Sequence, residues 1–391
     1  MLQLASYALR SLWARRVTTL ATAGGSALLV FVLSASGMLA NGIRRTMTSA
    51  GSPSRALVLQ QNQWSERGSH LPQSVLGLAA AAPRIRQGAG GQPLVMGETV
   101  SHLMLPSVHD PDRISTLQIR GVSANVLELR PSVRLQAGRM LKPGTAEAII
   151  GRGVAGRFAG LALGSSFELV AGRPISVVGV FESDGSALES EVWVDLENAR
   201  SALDMAGSYS SITAELEGHE QFDAFAAPLL ADRQTGLAVE RESAYYRRMA
   251  QGLADVVTLI GAAEALIVSF GAILGTMIVA YTSVVQRRTE IGVLRALGFR
   301  RRSILAAFLL ESLALALAGS ALGVGLALLT PLLDFNAVNF ATDQEVAFRF
   351  RPDAPALLGS VLGAALVGLL GGLWPAVRAA RLDPVQALRY G

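Results

Sequence analysis

Four apolar stretches, at residues 17–40, 256–285, 303–333 and 354–377, limit this 391-residue chain more than any motif in it. Each is long enough to cross a hydrocarbon core of about 30 Å as a helix. Lipid offers no partner to free backbone N–H and C=O groups, so such stretches must satisfy themselves as helices. Charged residues make up 16% of the chain and hydrophobic ones 51%, where soluble proteins carry roughly 25% charged residues. That argues against a wholly soluble enzyme. Residues 41–250 are polar enough and long enough to form a folded domain of their own. The expected fold is an α-helical membrane protein with four transmembrane helices and an α/β (α+β) extracytoplasmic domain inserted between helices 1 and 2.

The arginines set the orientation, because basic flanks stay on the cytoplasmic side. Arg10, Arg15 and Arg16 precede helix 1, Arg287, Arg288, Arg295, Arg300, Arg301 and Arg302 lie between helices 2 and 3, and Arg378, Arg381 and Arg389 follow helix 4. All three segments face one compartment in a four-helix topology, so both termini are expected to be cytoplasmic. Arg44 and Arg45 run against the rule, but they open a long translocated region, where it is weak. The chain divides into 1–16, helix 1 at 17–40, the outer domain at 41–250, a stalk and helix 2 at 251–286, a cytoplasmic loop at 287–302, helix 3 at 303–333, an outer loop at 334–353, helix 4 at 354–377 and a tail at 378–391.

Glu264 and Glu311 fall inside apolar stretches, where ionisable residues tend to be functional. Either can sit at an interface if its helix is set within the longer stretch, and no partner for either is apparent in the sequence. An intramembrane enzyme built on these two acids is therefore disfavoured. Small residues four apart, at Gly271 and Gly275, Gly319 and Gly323, Gly359 and Gly363, and Gly368 and Gly372, allow close helix approach, within one bundle or across a dimer seam.

The outer domain holds 20 basic and 21 acidic residues, which gives no electrostatic reason to expect nucleic acid. Patterning predicts strands at 55–60, 117–120, 148–150, 166–170, 175–180, 192–194 and 211–217, with helices at 72–82 and 221–230. Residues 242–251 are expected to run on into helix 2 and make it longer than the membrane is thick. Gly151, Gly153 and Gly156 spell GxGxxG without the following βαβ unit and acidic residue of a dinucleotide site. Gly88 to Gln92 resemble an ATPase signature loop on the wrong side of the membrane. His70, His102, His109 and His219 lack metal-site spacing, although His109 is followed by Asp110. There is no cysteine, no GxSxG and no HExxH, and the single lysine, Lys142, stands between Leu141 and Pro143. A P-loop needs lysine after glycine and before serine or threonine. The chain is thus expected to be no enzyme and to hold no cofactor.

The most informative stretch is QRRTEIGVLRALGFRRR at 286–302. Ile291, Leu294 and Leu297 recur at helical spacing, with Glu290 near the start and Gly298 as a glycine stop. This reads as a short amphipathic helix, laid against anionic lipid or docking a cytoplasmic partner. Followed by the LLES of helix 3 and by WPAVRAARLDPVQALR at the end, it resembles the permeases of the MacB/FtsX/LolC-like superfamily, the type VII ABC transporters. EAIIGRGVAGRFAGLALGSSFELVAGRPISVVGVFES and EVWVDLENAR are similar to the MacB-type periplasmic core domain, in which the GxGxxG is a structural turn.

The resemblance implies a dimer, with a second copy or a paralogue, in the bacterial inner membrane. It also implies a separate cytoplasmic ATPase that supplies ATP and Mg, and a partner outside such as an adaptor or lipoprotein. Arg288, Thr289, Glu290, Ile291, Gly292, Leu294, Arg295, Leu297 and Gly298 would form the coupling helix, and ATP-driven closure would pass along helix 2 to the outer domain by mechanotransmission, exporting or extracting an amphiphile, lipoprotein or other substrate. Residues 2–16, with Tyr7, Leu9, Leu12 and Trp13 among arginines, look like the interfacial helix of these permeases. The alternative is an FtsX-like scaffold of the same topology that transports nothing and activates a cell-wall hydrolase.

Overall fold

The computed structural model describes residues 16–231, 235–332, 334–339 and 344–382. Apart from Arg16, the interfacial helix expected at 1–16 lies outside them, as does the tail beyond Leu382. In chain order, α1 (Arg16–Thr48) is followed by β1 (Arg55–Gln60), β2 (Leu71–Pro72), α2 (Ser74–Ala80), β3 (Val95–Pro106), β4 (Ile114–Val122), α3 (Val126–Leu129), β5 (Arg134–Gly138), β6 (Glu147–Gly151), β7 (Ser166–Val170) and β8 (Arg173–Glu182). Then come β9 (Glu191–Asp195), α4 (Leu196–Ala202), β10 (Ser208–Tyr209), β11 (Ser211–Glu215), α5 (Phe222–Ala231) and β12 (Leu237–Arg241). The chain continues as α6 (Glu242–Gln286), α7 (Arg288–Ala296), α8 (Arg301–Ala327), β13 (Asp334–Asn339), β14 (Gln344–Arg349) and α9 (Ala354–Ala380). It forms two units, one of residues 42–254 with 334–349, the other of 1–41, 255–333 and 350–391.

The first unit is built on a mixed sheet in the order β12-β1-β11-β3-β4-β9-β6-β8-β5, with β7 paired to β8. β4 with β9 and β6 with β8 are parallel and the other pairs of this sheet antiparallel. β9, EVWVD, is buried along its whole length, as a strand covered on both faces must be. Two apolar clusters cover the two halves of the sheet. Leu117, Ile119, Ile150, Phe158, Phe167 and Val192 belong to one, and Val58, Ile212, Val75, Ala79, Phe225 and Leu229, drawn partly from α2 and α5, to the other. The GxGxxG is a turn at the end of β6, where a Cβ on Gly151 would collide with the Glu189 carbonyl. Residues 334–353, read from the sequence as a short loop, contain the β13–β14 hairpin. The hairpin is fastened by Glu345, which accepts from Arg157 at 2.8 Å and Ser115 at 2.7 Å, and by the fully buried Val346 and Phe348.

The centre of this unit is charged. Arg120, wholly buried, spends all five N–H donors on Glu66, Glu98 and Glu191 at 2.8–3.1 Å. Arg130 bonds Glu98 at 3.1 Å and Glu242 at 2.7 Å, and Arg55 also reaches Glu242. Trp193 Nε1 donates to Glu191 at 2.7 Å, Ser211 to Glu66 at 2.6 Å and Thr213 to Glu98 at 3.1 Å. Burial by itself raises the pKa of the Glu98 carboxyl. The Arg130 and Arg120 guanidiniums, with hydrogen bonds from Arg130 and Thr213, outweigh it and hold the group below the ordinary carboxylate value.

Four helices are long and apolar enough to cross a membrane, α1, α6, α8 and α9, and most of their length belongs to the second unit. Small residues let their backbones meet. Gly319 and Gly323 of α8 press on the Ala23 and Ala27 carbonyls of α1, and Gly368 and Gly372 of α9 on Ala316 and Ser312 of α8. Ser34 and Ser360 bond across α1 and α9 at 2.8 Å. Gly271 and Gly275 instead line an open groove of about 440 Å³ with Thr22, Gly25 and Leu28, and a Cβ on either would meet no atom within 4 Å.

Breaking a buried ion pair from one side costs about 3–5 kcal/mol, because the remaining charge is stranded. Arg120→Met is therefore expected to lower the stability of the full chain by that amount in denaturant unfolding. Glu98 has a depressed folded pKa, so its contribution is complete above the ordinary carboxylate range and is lost as pH falls through and below it. Glu98→Gln should flatten the acid limb of the stability profile relative to wild type.

Candidate functional site

α6 ends at Gln286 because Arg287 leaves the helical region, at φ −104° and ψ 17°, before α7 begins. α7 is nine residues long, RTEIGVLRA, too short to persist without packing. Its packing comes from Ile291, 3% exposed, which joins Val284 of α6, Ile304 and Phe308 of α8, and Ala376 and Ala379 of α9 in one apolar cluster. Leu294 and Phe299 line a hollow of about 80 Å³ beside α8, together with Ile304, Ala307 and Glu311. α7 stops at Gly298, whose φ of +89° suits glycine. The Phe299 N–H donates to the Leu294 carbonyl at 3.1 Å and the Leu297 N–H to that of Val293 at 2.9 Å, closing the helix end.

These contacts divide the nine residues that the sequence grouped together. Ile291 and Gly292 are buried and Leu294 and Arg295 half-buried, while Arg288, Thr289, Glu290, Leu297 and Gly298 are exposed. Arg295 donates to the Phe299 carbonyl at 3.1 Å, beside the helix end. The outward face also holds Val293, 44% exposed, and Phe299, 40% exposed, two residues absent from the sequence reading. Val293 falls off the Ile291–Leu294 stripe, and this break in the helical period is the signal that it faces away.

Glu311 has a partner after all. Arg287 NH1 lies 3.1 Å from Glu311 Oε2, with only 10% and 15% of the two side chains exposed, and this pair fastens the residue before α7 to α8. The expectation that neither intramembrane acid is paired is corrected here for Glu311. The two residues are 24 positions apart, which no helical period reveals. Glu264 is exposed on α6. Among the described residues no group of three or more His, Cys, Asp or Glu side chains is arranged to hold a metal.

With this geometry in place, comparison with known proteins is informative. Residues 19–231 match the MacB-like periplasmic core domain and residues 262–384 the FtsX-like permease C-terminal domain. Over 98% of its length the chain is 27% identical to the Bacillus subtilis protein YvrN, named an ABC transporter permease, and the match covers 97% of YvrN. It is 29% identical over 224 residues to the macrolide export ATP-binding/permease protein MacB of Neisseria gonorrhoeae, covering 55% of this chain and 34% of MacB. The chain spans about half or less of the curated relatives that it first matches. The solved periplasmic region of MacB from Actinobacillus actinomycetemcomitans aligns at a TM-score of 0.36 and 15% identity, over 49% of this chain and 90% of that structure.

Truncating a buried aliphatic side chain to alanine costs about 2–5 kcal/mol, whereas exposed positions change stability by about 0.5 kcal/mol or less. Ile291→Ala should therefore loosen α7 and lower the thermal midpoint of the full chain in detergent. Val293→Ala should leave it where it was.

Proposed function

The chain belongs to the family of permeases that join a MacB-like periplasmic core domain to an FtsX-like C-terminal domain, and on that basis we propose that it is the membrane subunit of an ABC transporter whose ATPase is a separate protein. The observation that carries this reading is the division of α7. Ile291 roots the helix in the bundle, and Arg288, Thr289, Glu290, Val293 and Leu297 are left facing outward. A surface with two large apolar side chains among charges is suited to a protein groove, because a helix lying only on lipid has no use for an exposed acid between arginines.

In this reading the termini and α7 are cytoplasmic in the bacterial inner membrane, and residues 42–254 are outside. ATP-driven movement of α7 is carried along α6 to the outer domain, which exports or extracts an amphiphile, lipoprotein or other substrate. The single lysine at 142 leaves the chain without a P-loop, in keeping with hydrolysis by the partner. The unfilled groove along Gly271 and Gly275 supports pairing with a second permease, copy or paralogue, since small residues there allow another helix to approach closely.

Val293→Asp and Leu297→Asp place charges on the outward face without touching the core. Each is expected to reduce capture of the partner ATPase from membranes at least tenfold and to lower its stimulated ATP hydrolysis, while expression and thermal midpoint hold. Wild-type capture by both variants would refute the docking face. Gly271→Leu with Gly275→Leu is expected to shift the permease from dimer to monomer in mass measurements on detergent-solubilised complexes, with the monomer still folded.

A further inference from the structure

Several hydroxyls on the membrane-type helices bond back along their own helix. Ser312 donates to the Phe308 carbonyl at 3.2 Å, Ser320 to that of Ala316 at 2.7 Å and Thr282 to that of Ile278 at 2.9 Å. Ser283 does not. It is 8% exposed, and its Oγ has no hydrogen-bond partner among the described residues. Leaving a buried hydroxyl unpaired carries the full penalty of its desolvation, so such an atom calls for a partner.

Ser283 lines a partly open hollow of about 30 Å³ whose polar wall is completed by Thr22, Thr276, Glu311 and Ser312. Glu311 uses Oε2 for Arg287 at 3.1 Å. Glu311 and Phe308 also line the larger hollow beside α7, so the acid borders both. A site of this size holds a water once it exceeds about 10–15 Å³ and offers two to four polar partners. A metal cation suits it less well, because the Arg287 guanidinium already balances the carboxylate.

We infer that the hollow bounded by Thr22, Thr276, Ser283, Glu311 and Ser312 is a water site, and that its water joins Ser283 to Glu311 and hydrates the ion pair securing α7 to α8. Water gives the buried Ser283 hydroxyl its missing hydrogen bond. The inference does not depend on what α7 docks.

Two measurements on the full chain in lipid nanodiscs test it. In a dry cavity Ser283→Ala removes an unpaired hydroxyl and raises the thermal midpoint. In a wet one it takes a partner from the water, and the midpoint falls by a few degrees, which is the expected result. Hydroxyl radicals generated from water by synchrotron pulses label side chains beside bound water. Leu315, 8% exposed on the cavity wall, should therefore oxidise several-fold faster than Leu29, 1% exposed. A raised midpoint for Ser283→Ala, or equal labelling of the two leucines, overturns the site.

Discussion

The sheet domain is organised around buried charge. Arg55, Arg120 and Arg130 face Glu66, Glu98, Glu191 and Glu242, and taking such groups out of water is costly unless every donor and acceptor is met. Arg120 meets that condition with three carboxylates at once. The constraint is geometric as well as energetic. β1, β3, β4 and β9 must lie in register for these side chains to converge, and Glu242, the first residue of α6, must arrive with them. The longest helix of the chain therefore starts from a point fixed by ions, while apolar packing fills the two halves of the sheet on either side. A hydrophobic core alone would tolerate some slippage of that helix start, but a bidentate arginine network does not.

The helical unit follows a different logic. Its helices have little hydrophobic reason to associate in lipid, so contact depends on shape. Glycines of α8 and α9 meet carbonyls and small side chains of their neighbours, and one serine pair bonds between α1 and α9. Charge enters where α7 joins α8, through Arg287 and Glu311. Ile291 packs α7 into the bundle and the Arg287–Glu311 pair fastens its start, while Arg288, Thr289, Val293 and Leu297 stand exposed.

Much of this was legible in the sequence, for identifiable reasons. The four apolar helices stood out because lipid-length stretches with at most one charged residue have few other uses. β1, β6, β7, β8, β9 and β11 were found where apolar alternation is uninterrupted, as were α2 and α5. β3 escaped because Glu98 and Thr99 break its pattern, and Glu98 is the residue that reaches the charged centre. β5 escaped because it is exposed along its length, and β12 because only its first residue is buried. At the site, Gly298 was readable as a helix stop because left-handed φ favours glycine. The Arg287–Glu311 pair was not, since it joins different helices, and the direction of Val293 depends on which stripe Ile291 chooses to bury.

The β13–β14 hairpin bears on how such a molecule is made. Glu345 takes its hydrogen bond from Ser115 across 230 positions of sequence, and Val346 and Phe348 are buried with it. During synthesis the ribosome must produce α6, α7 and α8 before the hairpin exists. Until then Ser115, Arg113 and Arg157 await their carboxylate, and the surface later covered by the hairpin stays bare. Completion of the sheet domain is thus a late event that reports successful assembly of the helices before it. A chain that stalls or misinserts at α8 carries an unfinished domain, the kind of exposed surface that quality-control proteases and chaperones recognise.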